Sequence, residues 1–496
     1  MFSSKLMERT VHFETLGCKL NQIESESIAR AFTDAGFSSD MIPFSAKAPV
    51  TEDVILCIVN TCTVTAKAEQ KARRIIRLLL EKCPASLVLV TGCYAEVEPD
   101  AIRMIDERVA VLRGTQKDIL AGLPEALTEK ALQSANSLEM VLNQLLQDRQ
   151  KTPEETLKHS SFALCTDTFL HHSRASLKLQ DGCNNNCAYC RIHIARGPSV
   201  SLPVSDVLSR VRLIEEAGQK EIVLTGVNLS QYAGSTEGLS SAGTNVNVSA
   251  AMKNNAIRPY LDFAQLLRLL LDNTTDISFR ISSLYPDRVN DEMCAVIKDR
   301  RIRPHFHLSV QSGSNEVLRA MNRPYSASDV VTAAKRLRQL KPDCFLACDV
   351  ITGFPGESDE NFEDTVTMCR EAGFSWIHVF PFSARPGTAA YRMRPQVPQS
   401  VSGKRAARLT EIALEQKKEY LKAFLGMERT AIVEKRRVDE LRAVTDNFIH
   451  VRLEPRTTVA EDSEMLGGKE VKIRLTKLLE TRSQTEDVEA EGILIY

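Results

Sequence analysis

Residues 175–190 read ASLKLQDGCNNNCAYC. Ala175–Leu179 alternates in the manner of a strand, and Asp181-Gly182 breaks it. Cys183, Cys187 and Cys190 then share one short loop, spaced by three residues and then two. Three thiolates so placed can bind three irons of a [4Fe-4S] cluster and leave the fourth iron without a protein ligand. Zinc is the competing reading. A structural zinc site takes four ligands, and His193 stands close enough in sequence to complete one.

Reading onward, the strand is the first of six. Glu221–Leu224, Ile277–Ile281, His305–Val310, Phe345–Val350 and Trp376–Phe380 follow, with helical patterns between them. Six βα units predict a partial (β/α)6 barrel, whose ligands gather at the carboxyl ends of the strands. An open iron at that mouth can chelate the amino and carboxylate groups of S-adenosylmethionine. It can then pass an electron to the sulfonium, releasing a 5′-deoxyadenosyl radical. Asn228, Ser282, Gln311, Thr352 and Arg385 fall just past strand ends and are candidate cofactor contacts. Residues 233–255 are rich in Gly, Ser, Thr and Asn and read as a flexible loop.

Reading back toward the amino terminus, a second alternation of strands and helices appears. Thr10–Leu16, Asp53–Val59, Leu87–Val90 and Val109–Leu112 read as strands, with helices to about Ala35 and over Thr65–Lys82. This predicts a Rossmann-like open parallel sheet. Cys18, Cys62 and Cys93 each follow one of its first three strands, in ETLGC, VNTC and VTGC. Loops after neighbouring parallel strands converge on one crevice. The three thiols are therefore expected to meet and to bind a second [4Fe-4S] cluster. The other seven cysteines are expected to be core residues or incidental.

The 496 residues exceed one ordinary core. The expected division is 8–125, the sheet with the second cluster; 126–172, a linker or helical insertion; 173–425, the barrel; and 426–496. The last segment breaks into short β-rich runs, including Thr430–Val433, Asn447–Leu453, Glu470–Leu475 and Glu489–Ile495. They fit a small all-β barrel. Thirteen cysteines without a secretory signal argue for free thiols in a reducing compartment, and no apolar run is long enough for a membrane span. A cytoplasmic protein is expected. The net charge of -1 argues against bulk electrostatic binding of nucleic acid but leaves room for local basic patches. Lys435, Arg436 and Arg437 form one such cluster and are candidate RNA contacts. Lys67, Lys71, Arg74 and Arg77 recur at helical spacing, where a solvated face is the plainer reading.

These motifs resemble the methylthiotransferase family of radical S-adenosylmethionine enzymes. The resemblance runs through TLGCKLNQIESE, NTCTVT, TGCYAE, LQDGCNNNCAYC, ISSLYPDRV, HLSVQSGSNEVLRAMNR, DVITGFPGESDENFEDT and HVFPFSARPGT. The segment containing TDNFIHVRL looks like a TRAM domain, an OB-like RNA-binding barrel. The resemblance implies two [4Fe-4S] clusters, on Cys18, Cys62 and Cys93 and on Cys183, Cys187 and Cys190. It also implies two molecules of S-adenosylmethionine, one for methylation and one for radical formation. GCKLNQ, NTCTVT and GCYAE are most similar to the branch that methylthiolates C2 of N6-threonylcarbamoyladenosine at tRNA position 37, in the anticodon loop. An electron donor such as flavodoxin or ferredoxin is implied, and the sulfur donor is left open. Four features depart from the family pattern: Ser309-Val310 stands where Pro-Leu is usual, Tyr285 where Glu is usual, and the loop 233–255 and the segment of about 130–170 are longer than usual. The rival readings are methylthiolation of isopentenyladenosine, a cobalamin-dependent radical methylase, and a non-catalytic iron–sulfur protein that binds RNA.

Overall fold

The structure, a computed structural model, describes residues 9–150, 160–165, 173–239, 247–249, 252–253, 256–434, 440–455, 461, 465–479 and 488–495. The chain forms two compact units. One comprises Met1–Thr166, Gln180–Asn185 and Cys190–Leu202; the other comprises Asp167–Leu179, Asn186–Tyr189 and Pro203–Tyr496.

The first unit is built on a parallel sheet ordered β2-β1-β3-β4-β5. Its strands are β1 (Thr10–Thr15), β2 (Ser38–Asp40), β3 (Val54–Thr61), β4 (Leu87–Gly92) and β5 (Val109–Val111). Both β3 and β4 are buried along their whole length, as a parallel strand covered on two faces must be. Helices α1 (Lys19–Asp34) and α2 (Ala66–Lys82) connect the strands. The edge strand β2 is a correction to the sequence reading. Its three residues, SSD, carry no apolar signal and pair only with β1. Helix Ala135–Gln150 lies within the segment read as linker or insertion. Its Leu138 and Leu142 pack into the same core as Val11, Leu56 and Leu89. In this unit, β7 (Val200–Ser201) pairs antiparallel with Gln180 and Asp181 at the end of β6 (Ala175–Asp181).

The second unit carries the barrel. Strands β6, β8 (Glu221–Gly226) and β13 (Ser278–Ile281) are neighbours in that order, and β14 (His305–Gln311), β15 (Phe345–Thr352) and β16 (Trp376–Pro381) form a parallel set. Isolated parallel bridges, Phe279 to Ile302 and Leu284 to Leu308, join the two walls. Between β8 and β13, in and beside the segment read as a flexible loop, two short antiparallel pairs form. Strand β9 (Gly234–Ser235) pairs with β12 (Tyr260–Leu261), and β10 (Met252–Lys253) with β11 (Ala256–Ile257).

After helix Gln399–Lys422 the chain closes a five-stranded all-β barrel of the TRAM type. It comprises β17 (Glu428–Val433), β18 (Leu441–Thr445), β19 (His450–Leu453), β20 (Glu470–Leu478) and β21 (Ala490–Ile495). Strand β18 is an addition to the runs read from sequence. Phe448, in the turn after it, adopts a φ of 68° and stacks on His305 at 4.0 Å between ring centroids. This fixes the small barrel to the start of β14.

Candidate functional site

In the first unit, Cys18, Cys62 and Cys93 stand beyond the ends of β1, β3 and β4, which are adjacent and parallel. All three therefore leave the same edge of the sheet. Cys18 precedes α1 as its N-cap, and Cys93 opens the short helix Cys93–Val97. Backbone glycines bring the loops close. Gly17 has φ 110°, and a side chain there would strike Cys62 Cβ at 2.8 Å. Gly92 has φ 93°, and its Cβ would meet the Thr61 carbonyl at 2.5 Å. Two side-chain amides tie the loops together. Asn21 Nδ2 donates to the Leu16 and Thr61 carbonyls at 2.8 and 3.1 Å, and Asn60 Nδ2 donates to the Asn21 carbonyl at 3.1 Å.

Cys18 is exposed, whereas Cys62 and Cys93 are buried. Burial pushes the Cys62 thiol up to about 11; the Val64 amide opposes the rise, and the neighbouring Cys93 and Cys18 thiols add to it. Burial also raises the Cys93 thiol, opposed by the cations of Arg196 and Lys117.

Those two cations belong to a buried network beside the thiols. Arg196 Nη1 donates to Asp181 Oδ1 at 2.9 Å and Glu24 Oε1 at 3.2 Å, and Nη2 donates to Asn21 Oδ1 at 2.6 Å. Lys117 Nζ meets the other Glu24 oxygen at 2.5 Å. Both cations oppose the rise that burial imposes on the Cys93 thiol, as a cation beside a thiolate does.

The second cysteine group follows β6. In the first unit, Cys183 Sγ accepts from the Asn185 amide and Cys190 Sγ from the Ile192 amide, both at 3.4 Å. In the second unit, Cys187 Sγ accepts from Arg323 Nη1 at 3.3 Å. Each of these sulfurs thus has an N–H donor aimed at it, which suits thiolates that ligate metal. All thirteen cysteines are free thiols. Among the described residues, no group of three His, Cys, Asp or Glu side chains is gathered about a single metal ion. A cubane spreads its ligands over separate corners and does not need such a cage.

Arg323 is the site residue that sequence reading missed. Its guanidinium lies 4.4 Å from the Tyr285 ring and 4.9 Å from the Tyr325 ring. It donates to the Tyr285 hydroxyl at 2.9 Å, the Tyr325 hydroxyl at 2.6 Å and the Ser309 carbonyl at 3.0 Å. Among the described residues no carboxylate pairs with it, so its charge is left to the tyrosine π-faces and to Cys187. The available signals were MNR and the Tyr285 departure.

The five proposed cofactor contacts differ in what their side chains do. Ser282 places a buried hydroxyl without a hydrogen-bond partner among the described residues. Gln311 has φ 72° at the end of β14. Asn228 caps the turn Leu229–Gln231 through Ser230. Arg385 is buried. Thr352 is fully buried, and its hydroxyl donates to the Ser402 carbonyl at 3.2 Å, which commits that group to the fold. Lys435, Arg436 and Arg437 lie outside the described residues.

Two family models match the chain: the radical SAM superfamily over residues 177–369, and "Uncharacterized protein family UPF0004" over residues 10–114. The chain is 40% identical to the threonylcarbamoyladenosine tRNA methylthiotransferase MtaB of Treponema pallidum, covering 94% of this chain and 98% of that protein. It is 32% identical to the Bacillus subtilis protein of the same name, over 94% of each chain. It is 29% identical to a tRNA-2-methylthio-N(6)-dimethylallyladenosine synthase of Vibrio parahaemolyticus, over 98% of this chain and 94% of that one.

Proposed function

This chain belongs to the methylthiotransferase family of radical S-adenosylmethionine enzymes, and from that membership we propose that it methylthiolates C2 of N6-threonylcarbamoyladenosine at position 37 of tRNA. It is a tRNA methylthiotransferase, and its radical domain implies one [4Fe-4S] cluster and S-adenosylmethionine. The choice of nucleoside follows the relatives. Relatives named for threonylcarbamoyladenosine run from 29% to 40% identity, against 29% and 30% for two dimethylallyladenosine synthases, so the 40% match carries the choice.

The observation that carries the two-cluster reading is the gathering of Cys18, Cys62 and Cys93 at one sheet edge. Radical generation alone has no use for a second thiol trio. In this reading Cys183, Cys187 and Cys190 hold the cluster that cleaves S-adenosylmethionine, and Cys18, Cys62 and Cys93 hold the one that supplies sulfur. The clusters supply the electron and the sulfur chemistry. The chain orients them: Asn21 and Asn60 lock the amino-terminal loops, and Arg196 and Lys117 offset thiolate charge. At the other trio, Arg323 holds Cys187. Ser282 offers an unspent hydroxyl to the cofactor. The substrate is read as the anticodon loop, and a small flavoprotein or ferredoxin as the electron donor.

Anaerobic reconstitution tests the assignment. Wild type should hold about eight iron and eight sulfide per chain, and Cys62→Ala about four of each. The variant should still cleave S-adenosylmethionine and should lose sulfur insertion. Full iron content and full methylthiolation in Cys62→Ala would remove the second cluster from the account.

A further inference from the structure

We propose that the exposed face of α2 is a phosphate-binding stripe that tracks the backbone of the tRNA substrate. The inference rests on the tRNA reading above and adds a surface to it. Lys67, Lys71, Arg74 and Arg77 are all exposed, and their spacings of four, three and three residues place them on one side of the helix. From first to last they span about 15 Å at 1.5 Å per residue. The opposite side is fixed: Ala72, Ile76, Leu79 and Leu80 are buried in the core with Val59, Val88 and Val90. The stripe therefore cannot roll away from solvent.

An ordinary solvated helix mixes signs and pairs them one turn apart. Here no exposed carboxylate interrupts residues 66–80. Glu69 is buried and engaged with Thr63 and with Arg191. Arg73 turns aside to donate to the Tyr94 hydroxyl at 2.7 Å. The four stripe cations have no ion pair or hydrogen bond among the described residues. The helix has six cations and two carboxylates, a local charge of +4 on a chain whose net charge is -1.

The described arginines of the TRAM barrel make the contrast. Arg442 pairs with Glu440, Arg452 with Glu440 and Glu491, Arg474 with Glu428, and Arg429 with Asp343 and Asp446. A paired cation must lose its carboxylate before it can hold a phosphate, whereas those on α2 exchange only water and counterions. The stripe also starts at the proposed sulfur-supplying site, because Lys67 is five residues beyond Cys62 and Thr65 caps the helix between them. The kind of partner it fits is one strand of a polyanion, with up to about four successive phosphates along it.

The test uses the full chain, reconstituted anaerobically, and tRNA bearing N6-threonylcarbamoyladenosine. Affinity is measured between low and moderate salt for wild type and for the fourfold variant Lys67→Gln, Lys71→Gln, Arg74→Gln and Arg77→Gln. Glutamine keeps helix propensity at these exposed positions. Cleavage of S-adenosylmethionine without tRNA and the thermal melt should match wild type. The variant should bind tRNA about tenfold or more weakly at low salt, and its log–log salt slope should flatten by about two to three. An unchanged slope, with or without weaker binding, would overturn the stripe while leaving the enzyme assignment intact. A wild-type chain that binds no tRNA would overturn both.

Discussion

Arg323 donates from Nη1 to Sγ of Cys187 at 3.3 Å while its guanidinium is clasped between Tyr285 and Tyr325. In the proposed ligation, a cation and an N–H donor at Cys187 Sγ favour the reduced, more negative cluster, and so raise its potential. Arg323→Gln should lower the midpoint potential of the radical-generating cluster by roughly 65–130 mV, the equivalent of one charge-assisted hydrogen bond in a one-electron couple. Tyr285→Glu should move the potential in the same direction by less, because a carboxylate would then neutralise Arg323 without removing its donor. Spectroelectrochemistry of the reconstituted protein reads both. A potential unchanged in Arg323→Gln would remove Arg323 from the electronic account of the site.

The amino-terminal network makes a stability prediction. Arg196 is buried between Glu24 and Asp181; burial disfavours its charge, and the two carboxylates more than restore it. Arg196→Met keeps the bulk and removes the guanidinium that bridges Glu24, Asp181 and Asn21. Removing one partner of a buried charge network costs about 3–5 kcal/mol. Denaturant unfolding should show a loss of that order in the first unit. A loss below about 1 kcal/mol would mean that water reaches Glu24 and that the network is not closed.

How much of this was legible beforehand follows from separation along the chain. Strands β3 and β4 announce themselves as apolar runs between helix signals, and the spacing of Cys183, Cys187 and Cys190 is local. The Arg196 network joins residues 172 and 15 positions apart, and the Lys117–Glu24 pair spans 93. In sequence these charges look like surface residues, and only the fold pairs them. Strand β18 went unread because LRAVT directly follows the charged run EKRRVDE and carries a charge of its own at its second position. The shared edge of Cys18, Cys62 and Cys93 was readable because a parallel sheet puts the ends of successive strands on one side. Arg323 was not, since MNR and the Tyr285 departure mark positions without saying that Arg323 faces Cys187.

At the base of the barrel, Glu221 is buried with three guanidinium groups. Arg280 binds it through Nε at 2.7 Å and Nη2 at 3.0 Å, Arg303 through Nε at 2.9 Å, and Arg174 lies 3.7 Å away. Burial would raise its carboxyl, but Arg280, then Arg174 and Arg303, hold it down at about 2 against an ordinary 4.5. Its folded pKa is therefore depressed. The stabilisation, roughly 3 kcal/mol, is present above the ordinary carboxylate range and is lost as pH falls from about 4.5 toward about 2. Arg280 also donates to the Thr445 carbonyl, and Arg303 reaches Glu470, so the same node anchors the TRAM barrel. Glu221→Gln should flatten that acid limb and loosen the barrel at neutral pH, read by limited proteolysis near residue 425. An acid limb unchanged in the variant would assign it to other carboxylates.

The central claim is the reaction itself. The most direct test is mass analysis of nucleosides from tRNA incubated with the reconstituted chain, S-adenosylmethionine and a reductant. The account predicts that N6-threonylcarbamoyladenosine is converted to a product in which a methylthio group replaces one hydrogen, while isopentenyladenosine is left unchanged. Conversion of isopentenyladenosine instead would contradict the assigned nucleoside. Cleavage of S-adenosylmethionine with no sulfur entering either nucleoside would contradict the assigned reaction.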